Sequence, residues 1–215
     1  MSGPTTLVLA SASPARLSTL RSAGITPVVQ VSGVDEDRVL AEAVGRFGVL
    51  DPADAVLLLA QAKAEDVART LEAVPGHVVV GCDSMLELDG EVHGKPKDAE
   101  TARERWRAMR GSSGVLHTGH WLVDVRDTAD GGTGATLGAT SSTTVHFADV
   151  TDAEIDAYVA TGEPMRVAGS FTIDGLGGAF VERIDGDHHG VVGLSLPLLR
   201  ELLGELDVVW PDLWR

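Results

Sequence analysis

The feature that most constrains the fold is a run of valines that stops near a carboxylate. Residues 78–80 are all Val, and Gly81, Cys82 and Asp83 follow directly. β-Branched side chains favour a buried strand, so we predict a strand over residues 77–83 that ends at Asp83. In open α/β sheets ligands bind at the carboxyl ends of strands, which makes Asp83 a candidate general base or metal ligand. The alternative is an Asp that only forms a turn.

The remaining patterns predict an α/β fold in which strands alternate with amphipathic helices. Pro14 and Pro52 are placed to start helices, and Thr151 with Glu154 forms a capping-box pattern. We predict strands at residues 7–10, 28–31, 77–83, 85–88, 91–92, 119–126, 143–150 and 179–184, and helices at 14–23, 51–73, 99–109, 151–161 and 197–206. The segment 127–142 is rich in Gly, Thr and Ala and is predicted to be a mobile hairpin loop. Because no linker interrupts the pattern, residues 1–215 are predicted to form a single domain.

The chain is strongly acidic, with 32 Asp and Glu residues against 17 Lys and Arg and a net charge of −15. Nucleic-acid binding depends on basic residues that neutralise phosphates, so no DNA or RNA partner is expected, whereas a small anion held by a few cations is compatible. Cys82 is the only cysteine, which excludes an intrachain disulfide and indicates a small buried side chain. The start of the chain has no basic n-region, and no apolar run approaches the roughly 20 residues that span a bilayer. We therefore expect a cytoplasmic protein with no membrane partner.

The turn between the first strand and the first helix has the residues of a phosphate-binding site. Ser13 is placed as the N-cap, and Ser11 and Arg16 flank it. Free backbone N–H groups, two hydroxyls and a guanidinium together suit a phosphate. The alternative is a well-capped helix whose Arg16 faces water.

Two lysines are candidates to act beside Asp83. Lys63 falls on the apolar stripe of its helix, so its ammonium group must reach past the apolar side chains to water, pair with an acid or point at a bound anion. Lys95 follows the turn predicted at Asp89 and Gly90 and would supply a charge opposite to that of Asp83.

Asp35 and Glu36 follow the predicted strand 28–31 and open an acidic stretch, irregular or helical, that reaches Gly48. Together with Asp83 they could share a divalent cation, since Mg²⁺ is bound by one or two carboxylates plus substrate phosphates. The alternative is a solvated acidic loop. The sequence has no P-loop, dinucleotide fingerprint, nucleophile elbow or recognised zinc spacing.

On a series of ordered motifs the chain strongly resembles the Maf family, the nucleoside triphosphate pyrophosphatases once named for septum formation. The matching segments are residues 9–16, 34–36, 59–64, 81–84, 94–98, 158–164, 168–169, 175–177 and 191–198. The resemblance implies an elongated α/β fold of the Maf/ITPase-like type, with a mixed twisted sheet, flanking helices and two lobes around a central cleft. It also implies a homodimer and a Mg²⁺- or Mn²⁺-dependent cleavage of nucleoside triphosphates into monophosphate and pyrophosphate.

The resemblance also implies roles for individual residues. Asp83 becomes the proton acceptor that activates water, and Lys63 and Lys95 become catalytic cations in the phosphate cleft. Glu36 becomes a metal or catalytic partner of Asp83. The implied substrate-binding residues are Ser11, Ser13, Ala15, Arg16, Ser84 and Asp174.

Three of these positions depart from the pattern of the pyrimidine-preferring subgroup. Ala15 stands where the family often has a second arginine, Ser84 where the subgroup often has Thr, and Asp174 where it has Gln. The positions are associated with base choice, so the sequence leaves the preferred base open. It also leaves open two other functions: a nucleotide-binding regulator of cell division with little or no catalysis, and a phosphohydrolase that releases orthophosphate.

Overall fold

The computed structural model describes residues 5–71 and 76–215, which form one mixed sheet covered by helices. The strands in these ranges are β1 (Thr6–Leu9), β2 (Val28–Val29), β3 (His77–Leu88), β4 (Glu91–His93), β5 (Ser113–Asp124), β6 (Thr136–Phe147) and β7 (Val181–Asp185). The helices are α1 (Pro14–Ser22), α2 (Glu36–Phe47), α3 (Pro52–Leu71), α4 (Ala99–Met109), α5 (Asp152–Ala160), α6 (His188–Val192) and α7 (Leu196–Glu205). The strand order is β2-β1-β3-β5-β6-β7, with β4 paired to the far end of β3. The predicted α/β class with a mixed sheet is confirmed.

Strand β3 is a long central strand of the sheet. It continues past Asp83, where the sequence predicted that it would end. It pairs continuously with β5, from Val78 opposite Asp124 to Glu87 opposite Val115, so Asp83 lies in the middle of a strand and not at its end. On the other edge, β1 pairs in parallel only with residues 77–80 and β4 only with residues 86–88. In the part of the chain that the structure describes, the edge of β3 around Asp83 therefore faces no strand and is open to a ligand.

Three clusters of buried side chains form the cores of two lobes, two of them on opposite faces of the sheet at one end of β3 and the third at its other end. In the first lobe Leu7 and Leu9 pack with helix α7, while Val8 of the same strand packs with helix α3 on the other face. In the second lobe Trp106 of α4 lies edge-on to Phe147 and Tyr158, with ring centroids 5.8 and 5.5 Å apart. Each lobe thus has its own apolar core. The part of the sheet between the two lobes forms the floor of a cleft.

The prediction of a mobile loop over residues 127–142 is wrong, because β6 begins at Thr136. At least one of the small residues that suggested a loop, Gly138, is required by packing. A Cβ atom on Gly138 would lie 2.1 Å from Cε3 of Trp121, so only glycine lets the indole ring lie flat on the strand. Composition alone does not distinguish a glycine that is flexible from one that is covered by a large side chain.

The helix predictions are confirmed, with small shifts at their ends. The capping box at Thr151 is present, and its hydroxyl accepts the backbone N–H of Glu154. The acidic stretch that begins at Asp35 is helix α2, and the predicted strand 28–31 is only the two-residue β2. Asp35 and Glu36 therefore start a helix and do not follow a strand directly.

The predicted end of α3 near Ala73 lies outside the described residues, as do residues 1–4. Within residues 5–71 and 76–215 no helix combines the length and the apolar character needed to cross a membrane.

We expect Gly119→Ala to lower the free energy of unfolding by about 1–3 kcal/mol, because a Cβ atom there would lie 2.4 Å from the Val56 carbonyl oxygen. Helix α3 rests directly on β5 at this point, and a backbone carbonyl cannot move aside. Chemical denaturation measures the change. Gly204→Ala in α7 is the control: nothing lies within 4 Å of its Cβ position, so Ala should leave stability unchanged or raise it by up to about 1 kcal/mol. Equal stabilities of the two variants would contradict the packing argument.

Candidate active site

The cleft between the lobes has a volume of about 1010 Å³ and brings together the side chains that the sequence singled out, except Asp35. The Asp35 carboxylate instead caps α2 by accepting the backbone N–H of Arg38 at 3.0 Å. The lining of the cleft includes Ser11, Ser13, Ala15, Arg16, Glu36, Lys63, Asp83, Ser84, Lys95 and Asp174. These residues come from six separate stretches of the chain. The first and second lobes form the two walls of the cleft, and strand β3 forms its floor.

Asp83 and Lys63 form a buried ion pair on the floor of the cleft. The Lys63 ammonium lies 2.6 Å from Oδ1 of Asp83 and 2.7 Å from Oε1 of Glu36, so it bridges two carboxylates. Asp83 and Lys63 are each 8% exposed. Of the three possibilities for a lysine on an apolar helix face, pairing with an acid is the one observed.

The local reason for this pairing is the glycine two residues before Asp83. A Cβ atom on Gly81 would lie 2.2 Å from the Ala60 carbonyl oxygen, so glycine allows α3 to lie directly on β3. Lys63 is one helical turn further along α3 than Ala60, which places its side chain above Asp83. A substitution at Gly81 would therefore move the ammonium away from the carboxylate.

Burial raises the pKa of the Asp83 carboxyl above its ordinary value, and the charges of Lys63 and Arg16 oppose that rise. A carboxylate with a raised pKa is a stronger base than an exposed one. Cys82, the neighbour of Asp83, has its side chain on the other face of the strand. It is fully buried, and burial raises the pKa of its thiol to about 11. The thiol is thus a packing group, as predicted, and not a nucleophile.

Arg16 is held in the cleft wall and does not face water, which contradicts the alternative considered for it. It is 8% exposed, and its Nε donates to the carbonyl oxygen of Gly193 at 2.7 Å. Its two terminal nitrogens donate to Ser11 Oγ at 3.0 Å and to Ser84 Oγ at 3.1 Å. Ser13 caps helix α1 by accepting the N–H of Arg16, as predicted. Three of the five guanidinium N–H bonds thus go to protein oxygens, and two remain for a ligand.

Thr118, which the sequence did not indicate, completes a line of hydroxyl groups behind Arg16. Its hydroxyl donates to the carbonyl oxygen of Gly190 at 2.8 Å and lies 2.8 Å from Ser84 Oγ. Because the single proton of Thr118 is already donated, Ser84 must donate to Thr118 while it accepts from Arg16. Thr118 is opposite Ser84 on the neighbouring strand β5, and only the strand register brings the two together.

The wall formed by the second lobe carries Lys95 and Asp174, which are both exposed. The loop that bears Asp174 is organised by Glu163, a residue to which no role was assigned. Its carboxylate accepts the Tyr158 hydroxyl at 2.9 Å and the backbone N–H of Gly177 at 3.1 Å. Glu163 belongs to the motif at residues 158–164, one of those that carry the family resemblance. This motif was the feature of the sequence that could have identified Glu163 as important. The function of Glu163 is to hold the loop in a defined position at the rim of the cleft.

The described residues contain no group of three or more His, Cys, Asp or Glu side chains arranged to hold a metal ion. What the cleft offers is a pair of carboxylates, Glu36 and Asp83, that approach the same ammonium group. Such a pair fits Mg²⁺ or Mn²⁺ only when substrate phosphates supply further oxygens, which is the usual manner of binding Mg²⁺.

Comparison with known proteins places the chain in a family. The family model described as Maf-like protein matches residues 6–206. A protein of Leifsonia xyli named nucleoside triphosphate pyrophosphatase is 54% identical over 97% of this chain and 96% of its own length. One of the same name from Salinispora tropica is 56% identical over 100% of this chain and 90% of its own length. The solved structure of the Staphylococcus aureus Ham1 protein has a TM-score of 0.41 at 16% identity, over 67% of this chain and 73% of that one. The family predicted from the sequence motifs is confirmed, and this chain belongs to the Maf family.

Proposed function

We propose that this protein hydrolyses nucleoside triphosphates to the monophosphate and pyrophosphate. The observation that carries the proposal is the buried carboxylate of Asp83, which lies on the floor of a large cleft beside the Lys63 ammonium, 2.6 Å away. Arg16 and Lys95 line the same cleft and supply positive charge for the phosphates of a bound triphosphate. The names of the Leifsonia and Salinispora relatives support the same reaction.

In the proposed reaction a water molecule attacks the α-phosphorus of the bound nucleotide. Asp83 accepts the proton of the water, the new bond forms between the water oxygen and phosphorus, and the bond from phosphorus to the α,β-bridging oxygen breaks. Pyrophosphate leaves with the electron pair of that bond. Lys63, Lys95 and the two remaining N–H bonds of Arg16 stabilise the negative charge that develops on the phosphate oxygens.

A divalent cation fits this site through Glu36 and Asp83. Bound there with the substrate, Mg²⁺ or Mn²⁺ would neutralise charge on the phosphates. The protein residues perform the proton transfer and hold the phosphates in position.

Base selection is proposed to depend mainly on Asp174 and less on Ser84. The Ser84 hydroxyl accepts from Arg16 and lies against Thr118, so it is already engaged in positioning the guanidinium. Asp174 is exposed on the opposite wall of the cleft, where its carboxylate can accept a hydrogen bond from a base N–H. Ala15 leaves additional space near α1 where a second arginine would otherwise stand.

The function is tested by measuring pyrophosphate and orthophosphate separately, for a panel of standard and modified nucleoside triphosphates with Mg²⁺, Mn²⁺ or EDTA. We expect pyrophosphate to be released in the presence of metal and lost with EDTA. Orthophosphate as the first product would indicate a different phosphohydrolase. Nucleotide binding without any product would favour a regulatory role.

The pH dependence of kcat/KM provides an independent check on Asp83 as the base. Because burial raises the pKa of Asp83, we expect the acidic limb of the profile to lie above the ordinary carboxyl value of about 3.9. Lys63→Gln removes the cation that opposes this rise, so the limb should move to higher pH and activity should fall. The control is Lys97→Gln, an exposed lysine in the same motif as Lys95. A limb that stays in place in Lys63→Gln would contradict the assignment.

The Maf-family resemblance further supports a cytoplasmic homodimer built from a single domain. Sheet pairing that runs without a break through both lobes supports the single domain, because neither lobe has a complete sheet of its own. Light scattering coupled to gel filtration measures the oligomeric state, and one unfolding transition with coincident probes is expected for a single domain.

A further inference from the structure

The short loop after β4 places Lys95 at the cleft, although the lysine side chain itself is not held. Lys95 is exposed and forms no ion pair with any residue of the described ranges 5–71 and 76–215. Its position therefore depends on the backbone of the loop, in particular on Gly94, which also lines the cleft.

The Gly94 carbonyl oxygen is fixed mainly by an arginine from the second lobe. Arg105 of helix α4 donates one N–H of Nη1 to this oxygen at 2.7 Å, and the backbone N–H of Gly169 donates a weaker bond at 3.3 Å. The same Arg105 nitrogen donates to the hydroxyl of Ser170 at 2.8 Å. A hydrogen bond from a charged donor is roughly twice as strong as one between neutral groups.

Arg105 differs in its contacts from the other arginines on either side of it in α4. It binds neutral groups of the loop and the adjacent turn, and not carboxylates on the helix surface. Its neighbours Arg103 and Arg107 pair with acidic side chains, at 2.8 Å to Asp156 and 3.6 Å to Glu100. Arg105 has no carboxylate partner among the described residues, and its Nε is buried without a hydrogen bond there. A half-buried guanidinium that contacts only neutral oxygens has no ion pair to offset its desolvation, so these two hydrogen bonds are what hold Arg105 and its partners together.

The turn that receives the other Arg105 hydrogen bond is itself rigid. Ser170 is fully buried with φ of +63°, an unusual backbone conformation for a residue other than glycine. Its carbonyl oxygen accepts the indole N–H of Trp106 at 2.8 Å. Arg105 thus connects the Lys95 loop to a turn that the aromatic core holds independently.

We propose that Arg105 is a positioning residue that sets the location of Lys95 and thereby the affinity of the cleft for phosphates. The inference rests on the proposed function, since it takes Lys95 as a phosphate-binding cation. Arg105 does not touch the substrate and acts through the Gly94 carbonyl.

A double-mutant cycle with a base-free ligand tests the proposal. Inorganic tripolyphosphate is titrated calorimetrically into wild type, Arg105→Met, Lys95→Gln and the double variant. We expect Arg105→Met to weaken binding about tenfold, the loss typical of a hydrogen bond from a charged group, and to have less than about a twofold effect once Lys95 is Gln. Arg105→Lys should restore part of the affinity. Arg107→Met, on the exposed face of the same helix, should bind like wild type.

Equal weakening by Arg105→Met with and without Lys95 would overturn the proposal, because Arg105 would then act by another route. Wild-type affinity in Arg105→Met, or no tripolyphosphate binding by the wild type, would overturn it as well. Thermal unfolding of each variant identifies a loss of binding caused by a loss of folding, and Arg105→Lys then provides the folded comparison. Failure of the proposed function is a separate result, the absence of pyrophosphate release from nucleotides by the wild type.

Discussion

Asp83→Asn should lower kcat by about 10²–10⁴-fold, the range associated with loss of a general base, while nucleotide affinity changes by only a few-fold. Asn has the shape of Asp but cannot accept the proton of the attacking water. Lys63 keeps its second carboxylate partner, Glu36, 2.7 Å away, so the variant does not leave an isolated buried ammonium. Pyrophosphate release under saturating nucleotide measures kcat, and calorimetry with a nonhydrolysable α,β-methylene nucleotide measures binding.

The matched control is Asp37→Asn, which removes a carboxylate from the same cleft. Asp37 is exposed on α2 and lines the cleft without lying on the Lys63 ammonium. Its substitution should leave kcat within about twofold, as expected for an exposed side chain outside the reacting groups. Wild-type turnover in Asp83→Asn, or an equal loss in both variants, would remove Asp83 from the role of base.

The second large predicted effect is on the stability of the protein, and the residue responsible lies away from the cleft. We expect Asp124→Ala to lower the free energy of unfolding by about 3–5 kcal/mol, since it breaks a buried ion pair by removing one partner. The Asp124 carboxylate accepts Arg126 Nε at 2.8 Å and Nη2 at 2.9 Å, and also the N–H and hydroxyl of Thr133 at 2.8 and 2.9 Å. Chemical denaturation at pH 7 measures the loss. Asp156→Ala, which breaks an exposed pair with Arg103, should cost less than about 1 kcal/mol.

The contribution of the Asp124 carboxylate to the free energy of unfolding should also disappear in acid. Burial alone would raise the pKa of Asp124, but hydrogen bonds from Arg126 and Thr133 outweigh it and lower the pKa to about 2. A carboxyl with a lowered pKa in the folded state stabilises the protein fully above its unfolded pKa of about 3.9, and the stabilisation is lost as the pH falls towards the folded value. The difference in unfolding free energy between wild type and Asp124→Ala should therefore narrow below about pH 4. A constant difference would show that the ionised carboxylate is not the stabilising species.

Much of the site could be predicted because its residues are unusual in their local setting. Lys63 interrupts an apolar helical stripe, and Ser13 with Pro14 marks a helix start that brings Arg16 into its first turn. Helical periodicity and capping are short-range effects, so a single sequence contains them in full. The exposed Lys95 was a candidate from its place after the predicted turn, and the resemblance to the Maf family then brought in the exposed Asp174.

The predictions of the fold were wrong where pairing between distant residues overrides the local sequence pattern. Asp83 was expected at a strand end, but continuous pairing with β5 extends β3 to Leu88. Gly138 was expected in a loop and instead lies under the Trp121 ring. Both outcomes depend on residues that fold back onto the segment from 17 to 36 positions away, which no local window contains.

The sequence by itself thus determined the composition of the site: an acidic chain with a few cations, a carboxylate after a valine run and a capped helix start carrying arginine. The tertiary structure decided which of these groups meet. It placed Lys63 2.6 Å from Asp83 because Gly81 allows α3 to lie on β3, and it aligned Thr118 with Ser84 through strand register. It also directed Arg105 of the second lobe to the loop of Lys95. The physical reason is that hydrogen bonds and ion pairs act over about 3 Å, whereas their partners here are separated by 11 to 177 residues of chain.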